Sequence, residues 1–391
     1  MPVAADRADS AGTVVMTFRL GQPDSGVVDA WALTNARLRI DSVPRSQNPE
    51  LHQLTGAALL ANGDLAVGHL SRHEVLVFDS MGQLRATVGR EGAGPGEFRS
   101  ISGPWTTADN RFAVYDGENR RVTIFAAPDS IARLTRIAVE MLPDSSFFIW
   151  KSFGVTRAGT ALFWVNGAPL KTVGMARPDM SLIAVDSNGS ANRVGAQRPG
   201  LQQYVLSPPS ARSFALGLSP FAASPLAVAC GQRVAIADNQ SYNVQLMDLS
   251  GRVALIIRAD TRSRQASDAD YIAVARTYRS SATITSDMIA PMKMMTPDGT
   301  LPVLRGVFCD DAENVWVEEW PHDGGAQRRV SSYSSEGALR FVLQLPMDVQ
   351  LLGAKDTRIA VAVVDDDGAE RIELRDVDLT RRVRGASLQE H

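Results

Sequence analysis

The chain has 391 residues, of which 45% are hydrophobic and 21% charged, and a formal net charge of −3. That composition fits a globular protein with a sizeable core, and the near-balanced charge gives nucleic acid or an anionic membrane surface nothing to bind. No apolar run approaches the ~20 residues of a membrane-spanning helix.

Two cysteines, Cys230 and Cys309, are too few for a disulfide framework or a cysteine-rich zinc site. Each falls in a turn of a different repeat unit, which argues against a bridge between them. Lysine is confined to Lys151, Lys171, Lys293 and Lys355, so arginine carries most of the positive charge.

The N-terminal MPVAADRADSAG lacks the basic and apolar regions of a secretory signal, which leaves open a cytoplasmic protein or a signal lying upstream. Residues 1–30 read as an extension, partly disordered. ALTNARLRID then alternates, with Ala36, Leu38 and Ile40 on one side and Asn35, Arg37 and Arg39 on the other.

A repeat follows. LAVGHLSRHEVLVFD (Leu65–Asp79), FAVYDGENRRVTIFA (Phe112–Ala126) and VAIADNQSYNVQLMD (Val234–Asp248) align without a gap. Each reads as an apolar strand, a polar residue, a few turn residues and an alternating strand. VVDDDGAERIELRD (Val363–Asp376) is a fourth copy; NVWVEEW (Asn314–Trp320) and GTALFWVNG (Gly159–Gly167) mark two looser ones. A D-x-x-G turn and a further strand come after most copies, with aspartate bonding the turn and glycine taking positive φ. Six antiparallel units result, near residues 54–90, 101–140, 146–195, 212–258, 301–345 and 348–377. Units of this size and pattern predict an all-β, six-bladed β-propeller over 31–380. The last unit lacks an outer strand. ALTNARLRID is expected to supply it by pairing with 370–376, closing the ring and removing an exposed edge.

Between the first two units lies GREGAGPGEF, Gly89–Phe98. It has neither the G-K-[ST] of a phosphate loop nor a strand–helix setting, so it is expected to turn a corner from rim to axis. Between the fourth and fifth units, residues 259–300 interrupt the pattern. DADYIAVARTYR predicts a short helix capped by Ser267, followed by the Met-rich loop MIAPMKMMTPDG. This insertion is read first as a cover over apolar surface and second as a lid or partner contact. Residues 381–391 form a charged C-terminal tail.

GREGAGPGEF, SPFAASPLAVACGQRVAIADNQSYNVQLMDLSG and VLRGVFCDDAENVWVEEW together resemble bacterial six-bladed propeller proteins of the NHL-like, TolB-like kind, over residues 30–380. The resemblance implies the six-bladed fold and, loosely, an extracytoplasmic setting. It implies no catalytic residues. This chain departs from the family pattern at His69, where relatives usually carry Asp, and shows no signal.

The repeat register exposes one ring of positions, the residues that follow each second strand: His69, Asp116, Asn166, Asp238, Glu319 and Asp366. In a propeller these turns gather at one rim. They are read first as caps of their own turns and second as a net-negative mouth for a cation, calcium being the candidate. His69 and His73 lack a third ligand nearby, and His52, His322 and His391 stand alone, which disfavours a zinc site. Asp365–Gly368 resembles half a calcium loop without its glutamate, and equally an acidic hairpin turn. The six tryptophans, Phe98 and Phe221 are expected to pack between blades. No nucleophile elbow or Walker sequence is present.

The sequence therefore predicts a monomeric propeller with no cofactor that binds a protein or a small ligand at one rim. The alternatives are a lactonase- or lyase-like hydrolase with a divalent metal in the channel, and an exported sensor ectodomain.

Overall fold

The structure is a computed structural model. It describes residues 5–19, 30–43, 50–108, 110–126, 135–138, 149–166, 173–207, 215–217, 220–261, 263–278, 285–296, 298–321, 327–365 and 368–383.

The chain folds as a six-bladed β-propeller. From axis to periphery, blade 1 comprises Leu54–Leu59, Leu65–His69, Glu74–Phe78 and Leu84–Val88, and blade 2 comprises Ser102–Thr107, Arg111–Asp116, Arg121–Ala126 and Thr135–Ala138. Blade 3 is built from Ile149–Val155, Ala161–Asn166, Asp179–Val185 and Ala191–Arg193; blade 4 from Pro225–Cys230, Arg233–Asp238, Asn243–Met247 and Val253–Ala259. Blade 5 holds Leu304–Cys309, Val315–Glu319, Gln327–Tyr333 and Leu339–Pro346, and blade 6 holds Val349–Lys355, Arg358–Val364 and Glu370–Val383. A small extra sheet of Gly174–Ala176, Gln203–Ser207 and Ala215–Gly217 lies outside the blades. Blade 4 accordingly begins at Pro225, later than the repeat spacing places it.

Period-two patterning sends alternate side chains to opposite neighbours. In blade 1, Leu65, Val67, Leu76 and Phe78 pack toward blade 6, while Ala66, Val75 and Val77 pack toward blade 2. Both faces of a blade are covered, so Glu74–Phe78 is buried throughout rather than on one face. Each junction between neighbouring blades holds one apolar cluster, from blades 1 and 2 round to blades 6 and 1. Trp164 and Trp316 are fully buried in these junctions, as is Phe98. The innermost strands approach closely: a Cβ on Gly353 of blade 6 would lie 2.2 Å from the Ala57 carbonyl of blade 1. The D-x-x-G turns form as expected. Asp79 Oδ1 accepts the N–H groups of Met81 and Gln83, both at 2.9 Å, and Gly82 sits at φ +80°.

The N-terminal closure is present. Leu38–Ile40 pairs antiparallel with the last strand, Ile40 opposite Ile372 and Leu38 opposite Leu374. Arg39 is exposed and Ile40 buried, matching the alternation. The last strand continues beyond Asp376, where the repeat pattern ends, to Val383, and Ala30–Leu33 pairs with this added length. Further upstream, Ala5–Ser10 and Thr13–Phe18 form a hairpin. Thr13–Phe18 lies parallel to Val253–Ala259 on the outer edge of blade 4, extending that blade to six strands. Phe18 is buried there, 5.1 Å from the Tyr333 ring.

The insertion contains two helices, α1 (Asp268–Tyr278) and α2 (Ser286–Met294). Ser267 begins α1 as expected: its N–H and hydroxyl both donate to Asp270 Oδ2 at 2.7 Å, and Arg264 grips the same carboxylate. Asp270 is held below the usual carboxylate range; its burial opposes this, but the bonds from Arg264 and Ser267 outweigh it. The Met-rich stretch, expected as a loop, is largely α2 instead, a helix that accommodates Pro291. Tyr271, Val274 and Ile289 pack on Phe221, Leu301 and Trp320, so the insertion covers apolar surface between blades 4 and 5.

Cys230 and Cys309 are joined in a disulfide, with Cα atoms 5.3 Å apart. This overturns the expectation of unbridged thiols. Each cysteine ends the innermost strand of its blade, and neighbouring blades bring equivalent ends of these strands together.

Deleting residues 1–41 removes the buried Phe18 and Ile40 with their strands, at about 1.5–3 kcal/mol for each side chain. The expected result is a melting temperature lower by about 5–10 °C. An unchanged melting temperature would contradict the seam. Thiol titration of denatured, unreduced protein is expected to give no free thiol per chain, and two after reduction. Two thiols before reduction would rule out the bridge.

Candidate functional site

The rim is set by register. Leu54, Pro225 and Leu304, which start innermost strands, lie opposite His69, Asp238 and Glu319, which end the second strands. Asp116 ends the equivalent strand of blade 2, and Asn166 that of blade 3, opposite Met180. The side chain of Asn166, like the whole of Asp366 and His322, lies outside the described residues.

Asp116 is fully buried. Its carboxylate accepts N–H bonds from Arg99 and Ser100 at 3.1 Å and from Asn119 at 3.2 Å, and the Asn119 amide donates at 2.6 Å. Arg99 and Ser100 follow directly on GREGAGPGEF, so one carboxylate ties the rim turn of blade 2 to the crossing from blade 1. Arg121 anchors the same crossing from inside. Its guanidinium donates to the carbonyls of Ala93 at 3.0 Å and Gly94 at 2.8 Å, and also to that of Glu97. The loop therefore offers carbonyl oxygens to a buried cation, the reverse polarity of a phosphate cradle. Glu97 is held below the usual carboxylate range by the Gly94 N–H and by Arg90.

Asp238 forms an ion pair with Arg177, beside the extra sheet, and accepts the Gln240 N–H at 3.0 Å. Glu319 is fully buried and receives Arg329 in a two-pronged bond of 2.5 and 2.6 Å. Burial opposes the charge on Arg329, but Glu319 outweighs it and holds the guanidinium protonated. Next to this pair the hydroxyls of Tyr242 and Tyr333 meet at 2.6 Å, and burial raises both phenols. On the opposite face of the strand, Glu318 pairs with the fully buried Arg328 and lies 3.3 Å from Arg305. The consecutive pairs Glu318–Glu319 and Arg328–Arg329 thus make one ion pair on each face of blade 5.

His69 is fully buried at the seam of blades 1 and 6. Its Nδ1 lies 3.3 Å from Glu74 Oε1, and its Nε2 lies 3.1 Å from Ser71 Oγ. Nearby, Glu370 accepts the Leu54 N–H at 2.7 Å, and burial raises its carboxyl above the usual range.

The geometry therefore brings His69, Asp116, Asp238 and Glu319 to one rim but binds each to partners of its own. Among the described residues, no three His, Cys, Asp or Glu side chains are placed to share a metal ion. Sequence reasoning missed Ser71, Glu74, Arg121 and Arg329. Their signal is positional: Ser71, Glu74 and Arg121 lie in the third strand or in the turn leading to it, within a few residues of the rim position each serves, whereas Arg329 lies on the third strand of blade 5 beyond a longer hairpin.

No known family profile matches the chain. No curated protein matches it. Solved structures do. A member of the DUF4221 family from Bacteroides vulgatus is 10% identical, covers 90% of this chain and 99% of its own, and superposes with a TM-score of 0.50. A candidate exported protein of Bacteroides fragilis is 12% identical over 93% of this chain and 99% of its own, with a TM-score of 0.49. Virginiamycin B lyase from Staphylococcus aureus is 10% identical over 84% and 98%, with a TM-score of 0.41. These likenesses bear on fold alone.

Replacing Glu319 with Gln strands the buried Arg329 charge and is expected to cost about 3–5 kcal/mol in chemical denaturation. Asp116→Ala, which leaves several N–H groups without an acceptor, is expected to cost about 1–3 kcal/mol. Losses under a few tenths of a kcal/mol at both sites would remove the tethering role of the rim carboxylates.

Proposed function

We propose that this chain is a binding propeller of an oxidising compartment, acting as a monomer and engaging at its rim a small ligand that carries an acidic group. The observation behind this reading is how the rim spends its charges. Asp116, Asp238 and Glu319 each hold donors of the ring itself, so the acidic ring is neutralised rather than offered to a cation. A divalent metal shared among channel carboxylates has little support from this arrangement. We therefore assign no cofactor, and calcium is not needed by the reading.

The cations nearer the axis favour an anionic ligand. Lys151 lies on the innermost strand of blade 3 and keeps water-exposed surface, yet the protein around it pulls its ammonium pKa below the ordinary value. Arg305, on the innermost strand of blade 5, lies over the Trp320 ring at 5.6 Å, but it shares Glu318 with Arg328 and so adds less to this positive charge than Lys151. Gln350 adds an exposed amide on the innermost strand of blade 6. The Cys230–Cys309 bridge supports the compartment, because structural disulfides persist where the surroundings oxidise.

Thermal-shift measurements with a panel of small carboxylates and phosphates, set against amines and calcium, test the ligand class. A subset of the anions is expected to raise the melting temperature by a few degrees at about 100 times Kd, with the gain lost in Lys151→Met. Stabilisation by calcium or amines alone would overturn the reading.

A further inference from the structure

Blade 1 is the one repeat in which a histidine, rather than an acid or an amide, ends the second strand. The structure surrounds that histidine differently from the other rim positions. His69 and Glu74 are direct cross-strand partners, so their side chains share one face. The turn between them is a short 3-10 segment, Leu70–Arg72, closed by His73 at φ +54°. Ser71, at its centre, is exposed, while His69 has no exposed surface.

Hydrogen bonding fixes the tautomer. The backbone N–H of His52 approaches His69 Nε2 at 3.4 Å. A backbone N–H can only donate, so Nε2 is the accepting nitrogen and the ring proton lies on Nδ1. Nδ1 then donates to Glu74, whose carboxylate is held by Arg72 Nε at 3.1 Å. Ser71 Oγ lies 3.1 Å from Nε2, closer than the His52 N–H that meets the same lone pair, and also 3.1 Å from the His52 carbonyl, so its single proton is shared between two acceptors. An exposed hydroxyl, an imidazole with its base nitrogen toward that hydroxyl, and a carboxylate orienting the other nitrogen are a nucleophile, a base and its orienter, the arrangement of acyl transfer.

We propose that Ser71, His69 and Glu74 form an acyl-transfer site that accepts small activated esters, an activity beyond the binding role proposed above. Ser71 Oγ attacks the ester carbonyl carbon while its proton passes to His69 Nε2. The tetrahedral intermediate collapses, the bond from acyl carbon to alkoxy oxygen breaks, and the Nε2 proton leaves with the departing alcohol. Water then attacks the acyl-Ser71 ester. Its proton travels through Nε2 back to Ser71 Oγ, and a carboxylic acid departs. Ser71 and His69 are the catalytic residues, and Glu74 is a positioning residue that keeps the proton on Nδ1. The ring of His69 has no exposed surface, and the exposed Ser71 lies against its Nε2 on the solvent side. An acyl group on Ser71 screens that side, so deacylation is the slower step and the acyl-enzyme accumulates.

The test is the full chain mixed with p-nitrophenyl acetate. The expected result is a burst of about one equivalent of nitrophenolate, with the acetyl group mapped by peptide mass spectrometry to Ser71. Ser71→Ala is expected to abolish the burst at an unchanged melting temperature. Glu74→Gln is expected to keep the amplitude and slow the burst by about 10²-fold, with the slowing dependent on pH. Three outcomes overturn the proposal: no burst, an acetyl group found only on lysines or the N-terminus, or a burst in Ser71→Ala equal to that of the parent. Mapping the adduct on the parent chain decides the matter even if the alanine variant fails to fold.

Discussion

Ile40 lies opposite Ile372, and Leu38 opposite Leu374, in the ladder that joins the first forty residues to the last strand. A propeller has no end walls. Each blade buries its two faces only against its neighbours, and the sixth can do so only if its own edge is finished. Ile40 and Ile372 both belong to the cluster between blades 6 and 1, so closing the edge and filling the last junction are one event. The geometry of the rim follows from closure, because the turns that carry His69, Asp116, Asp238 and Glu319 are positioned by the ring rather than by each other.

Within that ring, polar chemistry serves mainly to join elements. Asp116 links a rim turn to the crossing between blades 1 and 2; Asp238 links blade 4 to Arg177; Glu319 and Glu318 lock blade 5 internally. Buried charges are costly unless satisfied; Glu319 is satisfied by a two-pronged arginine and Asp116 by several N–H donors. The same logic explains GREGAGPGEF. Its glycines let the chain turn, its carbonyls converge on Arg121, and Phe98 drives into the junction between blades 1 and 2. Blade 1 stands apart because a histidine cannot hold a turn as a carboxylate does. Its ring bridges Glu74 and Ser71 instead.

The ring was legible in the sequence because two independent signals coincided, the period-two strands and the D-x-x-G turns that follow them. Ala36, Leu38 and Ile40 foretold the closing strand by the same alternation. The capping role expected first for the rim carboxylates was readable at Asp116, where donors lie in the adjacent turn. It was not readable at Glu319, whose partner Arg329 comes from a strand beyond a long hairpin that blurs the repeat. The disulfide was hidden because the cysteines were judged by their turns and not by their equivalence: both end an innermost strand, and equivalent ends meet in adjacent blades. The N-terminal hairpin left little trace, since every residue of Ala5–Ser10 is exposed and carries no apolar stripe. Ser71 and Glu74 gave no motif, only a histidine where the other repeats carry an acid or an amide.

The hairpin on blade 4 also bears on the order in which the chain can assemble. Joining residue 40 to residue 372 directly would mean closing a loop of most of the chain, and that entropy grows with the logarithm of its length. Thr13–Phe18 pairs instead with Val253–Ala259, a strand complete well before the last blade has been synthesised. Phe18 is seated there in the junction of blades 4 and 5, against Tyr333. In the finished ring, the two-stranded addition to blade 4 thus divides one long covalent loop into two shorter ones.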